Sequence, residues 1–152
     1  IWNKDSVEPI ACDWLICTCL LVRKEVLIKT RGFDPVYYIN YEEVDFCLRT
    51  IKAGFKVVYY PTVTVQHEID LLPFKRERAY YLYRNKFILI HRNFPFLQKI
   101  SALSITFFLG LPKYLLESIR FHKCFVFSEL GIIFLGVWDG ILGKSQIREK
   151  TG

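Results

Sequence analysis

Residues 41–49 read Tyr41-Glu42-Glu43-Val44-Asp45-Phe46-Cys47-Leu48-Arg49. Val44, Cys47 and Leu48, continued by Ile51, recur at i, i+3, i+4 and i+7, which predicts a helix with one apolar face. Glu42 and Glu43 stand at its start, where the helix dipole favours acids. Arg49 lies one turn beyond Asp45, the spacing of an i, i+4 ion pair. Gly54, after Lys52-Ala53, supplies a stop. Upstream, residues 14–22 are apolar except for Thr18 and predict a buried strand bounded by Asp13 and Arg23. Residues 24–29 suit a short helix closed by Gly32 as a left-handed cap. Gly32-Phe33-Asp34-Pro35 then reads as a turn. Downstream, residues 56–60 read as a strand that Pro61 interrupts. The alternating stretch 62–67 is a second short strand or an extension of the first.

The 152 residues are 52% hydrophobic and 16% aromatic, enough for a packed core and against disorder. No Met occurs and the first residue is Ile1, so the chain is expected to be a piece of a larger protein. Five cysteines without a Cys-x-x-Cys pair suggest reduced thiols, neither a disulfide framework nor a zinc site. Charge divides the chain. Residues 1–74 carry 8 Lys and Arg against 10 Asp and Glu, whereas residues 75–152 carry 13 against 5. In the basic part the cations alternate with long apolar runs, which suits lipid headgroups and argues against nucleic acid. A long amphipathic helix is expected over about residues 74–92, ending at Asn93-Phe94-Pro95. The uncharged run 100–112 is too short to span a bilayer, and the run 124–143 contains Glu129 and Asp139. Interfacial or re-entrant helices are the expectation for both.

Asp34, Glu42, Glu43 and Asp45 crowd one stretch. By themselves Glu42 and Glu43 are ordinary acids of a helix N-terminus; the functional reading is a general base, the carboxylate that takes a proton from an attacking hydroxyl. His67 closes a strand; it is either structural or a contact for a divalent metal at a diphosphate leaving group. Trp14, with Asp13 before it, could stack on a sugar face or belong to the core.

Taken in order, Cys12-Asp13-Trp14-Leu15, Leu20-Leu21-Val22-Arg23-Lys24-Glu25-Val26, Gly32-Phe33-Asp34, the 41–49 stretch, Lys52-Ala53-Gly54-Phe55-Lys56-Val57-Val58-Tyr59-Tyr60-Pro61 and Val65-Gln66-His67 resemble the second half of a family 2 glycosyltransferase of the GT-A fold. The rhamnosyltransferase-like branch is the most similar. The order and spacing hold over residues 12–67. Arg84-Asn85 and Trp138-Asp139-Gly140-Ile141-Leu142-Gly143-Lys144 are similar to a weaker C-terminal pattern of that branch.

The resemblance implies roles. The family's Glu-Asp-x-Asp motif falls on Glu42, Glu43, Val44 and Asp45, which makes Glu43 the catalytic base with Glu42 beside it. The family often has Asp where Glu43 stands. Asp13, Trp14, Asp45 and Arg49 would border the substrates, and His67 would contact metal or diphosphate. Cys17-Thr18 replaces a usual Gly-Ala pair and would narrow the sugar pocket. No Asp-x-Asp occurs, so the main carboxylate ligands of a Mg2+ or Mn2+ ion are expected outside these residues.

The expected architecture is α/β: a partial GT-A sheet (strands near 15–22 and 56–66) in residues 1–72, then a mainly helical, membrane-associated region in residues 73–152. The expected reaction moves a sugar, with inversion, from a nucleotide-sugar donor to a lipid-linked or polysaccharide acceptor hydroxyl. It belongs to cell-envelope polysaccharide synthesis, at the cytoplasmic face of the membrane and peripheral to it. The alternative is a non-catalytic membrane-associated module or a degenerate remnant without the nucleotide-binding half.

Overall fold

The computed structural model describes residues 8–67, 76–122 and 126–144. Two units make up the chain, Ile1–Leu72 and Pro73–Gly152.

In the first unit, β1 (Ile10–Ala11) pairs antiparallel with β2 (Val58–Tyr59), Ile10 opposite Tyr59 and Ala11 opposite Val58. The Cys12 N–H donates to Val57 O at 3.0 Å and continues the ladder by one bond. The sheet among the described residues is therefore much shorter than the sequence predicts. Residues 14–22 form no strand, and Ile16 and Leu21 are exposed. A strand must give its N–H and C=O groups a neighbour, and none lies beside this segment among the described residues. Beyond β2, Pro61 has no N–H for a ladder and residues 62–67 stay exposed without strand structure.

Helix α1 (Lys24–Thr30) ends on two left-handed residues, Arg31 at φ 62° and Gly32 at φ 70°. The left-handed turn thus begins one residue before the expected glycine. Helix α2 (Glu42–Lys52) follows the predicted span closely and stops at Gly54, φ +89°, whose N–H donates to Ile51 O. Its inward face differs from the expected one. Asp45, Phe46, Cys47 and Thr50 are buried, while Ile51 is exposed. Phe46 packs on Phe33 with ring centroids 4.6 Å apart, and Asp45 turns inward to reach polar partners, which rotates the helix away from its simple apolar stripe.

In the second unit, α3 (Arg76–Asn93) packs along α6 (Val126–Ile141). Ala79, Tyr83 and Ile133 form the centre, with Leu82, Leu111, Tyr114 and Val137 around it. The helices approach closely because Gly136 and Gly140, one turn apart, face α3: a Cβ on Gly136 would lie 2.6 Å from Tyr80 O, and one on Gly140 2.6 Å from Arg84 O. Pro95 caps α4 (Phe96–Ile105), which runs through a π-helical turn (Thr106–Gly110) into α5 (Leu111–His122). Pro112 explains the turn. It has no N–H for the Phe108 carbonyl, and the ladder opens so that the Leu111 N–H donates to Thr106 O, five residues back. The helical run extends well beyond the uncharged stretch 100–112. Phe96–Leu116, 21 residues with a mean hydropathy of 1.2, is long and apolar enough to cross a membrane by length and composition.

Candidate functional site

Glu42 and Glu43 are presented by a tight turn. The Asp34 carboxylate accepts the Val36 N–H at 2.9 Å, and the Tyr37 and Tyr38 N–H groups donate back to the carbonyls of Asp34 and Pro35. Tyr38, Asn40 and Tyr41 then take φ values of 57°, 66° and 68°. These are three of the four non-glycine residues with positive φ among the described residues. Such conformations are costly for residues with a Cβ and collect at functional sites. Tyr41 is the N-cap residue of α2, so the acids of the first turn follow directly from the turn.

What holds the turn is the pair expected to border the substrate. Asp45 is 2% exposed; its carboxylate accepts from Tyr37 Oη at 3.1 Å and from Arg49 Nε at 2.6 Å. The two other guanidinium nitrogens of Arg49 donate to Thr30 O at 2.6 Å and Gly32 O at 2.8 Å. One planar fork thereby ties the end of α1, the turn and α2 together. Asp45 and Arg49 face the interior, and their observed work is positioning.

The two acids are not equivalent. Oε2 of Glu42 is buried with no hydrogen-bond partner. Burial raises the Glu42 carboxyl above the ordinary carboxylate range; its own backbone N–H opposes this, and the neighbouring Glu43 adds to the rise. The Tyr41 hydroxyl is raised for the same reasons, burial first and Glu43 second. Cys17 belongs to the same cluster. Its thiol is pushed up to about 11 by burial, then by Glu43, Cys47 and Glu42. A thiol raised in this way is little ionised near neutral pH, which argues against a nucleophilic role. The same segment touches α2 again where the Leu15 backbone bonds the Cys47 thiol. Asp13 and Trp14 lie on this segment and are exposed, Trp14 by 48%.

His67 is exposed at the end of the stretch after β2, and Glu68 and Asp70 lie outside the described residues. Among the described residues no three His, Cys, Asp or Glu side chains come together as a metal site. The described residues therefore assemble no divalent-cation site by themselves. Sequence reasoning missed the left-handed turn and Tyr37. Asn40, a residue type tolerant of positive φ, was the available signal for the turn.

In the second unit two motifs distant in sequence meet. Tyr80 Oη donates to Asp139 Oδ2 at 2.8 Å, and Lys144 Nζ pairs with Asp139 Oδ1 at 3.0 Å. Arg84, fully buried, donates from Nε and Nη2 to Lys144 O at 3.1 and 2.5 Å, and from Nη1 to Asn85 Oδ1 at 2.9 Å.

Part of the chain is similar to curated rhamnosyltransferases. It is 43% identical over 68 residues to the N-acetylglucosaminyl-diphospho-decaprenol L-rhamnosyltransferase of Mycobacterium tuberculosis strain H37Rv. That match covers 43% of this chain and 22% of the relative. It is 34% identical over 65 residues to rhamnosyltransferase WbbL of Escherichia coli K12, covering 42% of this chain and 25% of that protein. The match thus spans a quarter or less of these relatives' length. No family model and no solved structure matches. The partial homology supports a glycosyltransferase-like role.

Proposed function

We propose that this chain is the acceptor-side part of an inverting family 2 glycosyltransferase of the GT-A type, with Glu43 as its general base. The observation that carries the reading is the carboxylate pair at the N-terminus of α2, held on a strained turn by Asp45 and Arg49. The donor is a nucleotide-sugar and the acceptor a hydroxyl of a lipid-linked or polysaccharide substrate in cell-envelope synthesis. Glu43 removes the hydroxyl proton as the acceptor oxygen bonds to the anomeric carbon. The bond from that carbon to the donor phosphate oxygen breaks, and its electron pair leaves on the diphosphate. One displacement from the opposite face inverts the centre. Glu42, raised by burial above the ordinary carboxylate range, flanks the base. A Mg2+ or Mn2+ ion at the donor diphosphate would take its main carboxylate ligands from outside these residues, with His67 as a contact, and would stabilise the leaving charge.

The second unit holds the enzyme at the cytoplasmic face of the membrane through its basic charge and its exposed apolar side chains, among them Phe108 and Leu109.

The test is Glu43→Gln in the full-length protein. Donor binding should persist while the chemical rate falls by about a hundredfold or more. Turnover near the wild-type rate would take the base role away from Glu43. A wild-type protein that binds membranes but transfers no sugar would favour the non-catalytic module.

A further inference from the structure

Tyr37 is fully buried in the segment that leads into α2, and three of the four residues after it have positive φ. Such conformations persist where the surroundings fix them. The N-cap of α2 contributes little to that. It is Tyr41, whose side chain makes no capping hydrogen bond, in a place where Ser, Asp or Asn would hold the first turn. The hold comes from one turn further on. A helical side chain leans back toward the N-terminus, and Oδ1 of Asp45 accepts the Tyr37 hydroxyl at 3.1 Å. The Asp45 N–H also donates to Tyr41 O at 3.0 Å, the first bond of the helix. Glu42 and Glu43 lie between these two attachments.

The two oxygens of Asp45 make separate attachments. Oδ2 takes Arg49, whose fork reaches Thr30 and Gly32 at the end of α1 and so joins the two helices. Oδ1 takes Tyr37 and so reaches the strained segment before α2. Loss of the first loosens the unit. Loss of the second frees the segment that sets where the first turn of α2 begins, while the helices stay joined. We propose that Tyr37 is a positioning residue for Glu43: its hydroxyl, through Asp45, holds that first turn so that the Glu43 carboxylate meets the acceptor hydroxyl. Tyr37 is buried and acts only through its neighbours. This deepens the reading above, on which it rests for the role of Glu43.

The test compares Tyr37→Phe, Glu43→Gln and the double variant in the full-length protein. Tyr37→Phe keeps the ring and removes only the hydroxyl. Its kcat should fall by about tenfold or more, since a displacement of about 1 Å at a reacting group can cost about a hundredfold. Its donor KM should stay at the wild-type value. In the Glu43→Gln background the same change should have no further effect, because a residue that acts through the base has nothing left to position. A merely structural role would lower turnover by the same factor in both backgrounds, and that result overturns the proposal. Wild-type kcat in Tyr37→Phe overturns it as well. So does a Tyr37→Phe protein that circular dichroism shows to be unfolded, since the Arg49 fork should keep the unit joined without the hydroxyl. Loss of turnover in Glu43→Gln with an inert Tyr37→Phe removes the positioning role alone. Wild-type turnover in Glu43→Gln is the other failure: it removes the base reading, and Tyr37 then has no base to position.

Discussion

Replacing Gly136 with alanine should destabilise the helix pair, whereas the same change at Gly131 on the same helix should stabilise it. Around Gly131 no atom lies within 4 Å of an added Cβ. That substitution keeps only the propensity gain of alanine over glycine in a helix, about 1 kcal/mol. At Gly136 the added Cβ would sit 2.6 Å from Tyr80 O, with Tyr80 C at 3.3 Å and Arg84 N at 3.4 Å. All three are backbone atoms, so no rotamer change relieves the overlap and the helices themselves must separate. Overpacking of this kind costs about 1–3 kcal/mol, and against rigid backbone the upper part of that range applies, above the propensity gain. The propensity gain is common to both variants, so the expected gap between them is the overpacking cost itself, about 1–3 kcal/mol. Urea unfolding followed by far-ultraviolet circular dichroism reads it as opposite shifts of the midpoint. Equal stability of the two variants would show that α3 and α6 do not meet along Gly136 and would refute the reasoning.

Three further outcomes follow from the same geometry. Arg49→Lys keeps the charge but cannot reach Asp45, Thr30 O and Gly32 O together, so the first unit should lose about 2 kcal/mol in chemical denaturation, and an unchanged midpoint would show that the fork holds nothing. Glu42 is raised in the folded protein, mainly by burial, so its contribution is fully present below the ordinary carboxylate range and is lost as pH rises through the raised value. Glu42→Gln should therefore match the wild type in acid and gain on it as pH rises through that window; a difference constant across a pH series of unfolding curves would contradict this. If the second unit lies on the membrane surface, high salt should weaken attachment of the full-length protein and alkaline carbonate should release it, whereas resistance to both would mean that Phe96–Leu116 spans.

Local signals in the sequence were enough to place the helices, and they failed where a neighbour decides the outcome. Helix α2 could be read because its acids, its periodicity and Gly54 all agree. Its buried face could not, because Asp45 turns inward only when Tyr37 and the Arg49 fork are present to receive it. The 14–22 stretch has strand composition, but composition carries no information about whether a ladder partner lies beside it. At the site, Glu42 and Glu43 were visible as residues and their inequality was not. That inequality comes from burial of one carboxylate beside the other, which depends on where the segment around Cys17 packs. Asp45 and Arg49 were visible as an i, i+4 pair; the two carbonyls that complete the clamp lie 17 and 19 residues away.

The second unit distributes polarity in an unusual way, and this bears on where it works. Arg84, Asn85 and Asp139 are buried between the helices, while Phe108, Leu109, Leu116, Phe134 and Trp138 are exposed. In water the opposite arrangement is favoured, since burying polar groups and exposing large apolar ones both cost free energy. The interior here avoids much of that cost by pairing: Asp139 has Tyr80 and Lys144, and Arg84 has Asn85 and the Lys144 carbonyl. Gly136 and Gly140 let the two helix backbones approach closely where these partners meet. The exterior has no such compensation within the chain. Large apolar side chains exposed together are a sign of a docking or membrane surface. On the proposed function the partner is lipid, since this unit is basic and Lys99 on α4 is partly exposed. That combination fits the boundary between headgroups and acyl chains, where a lipid-linked hydroxyl could be reached without extracting the lipid.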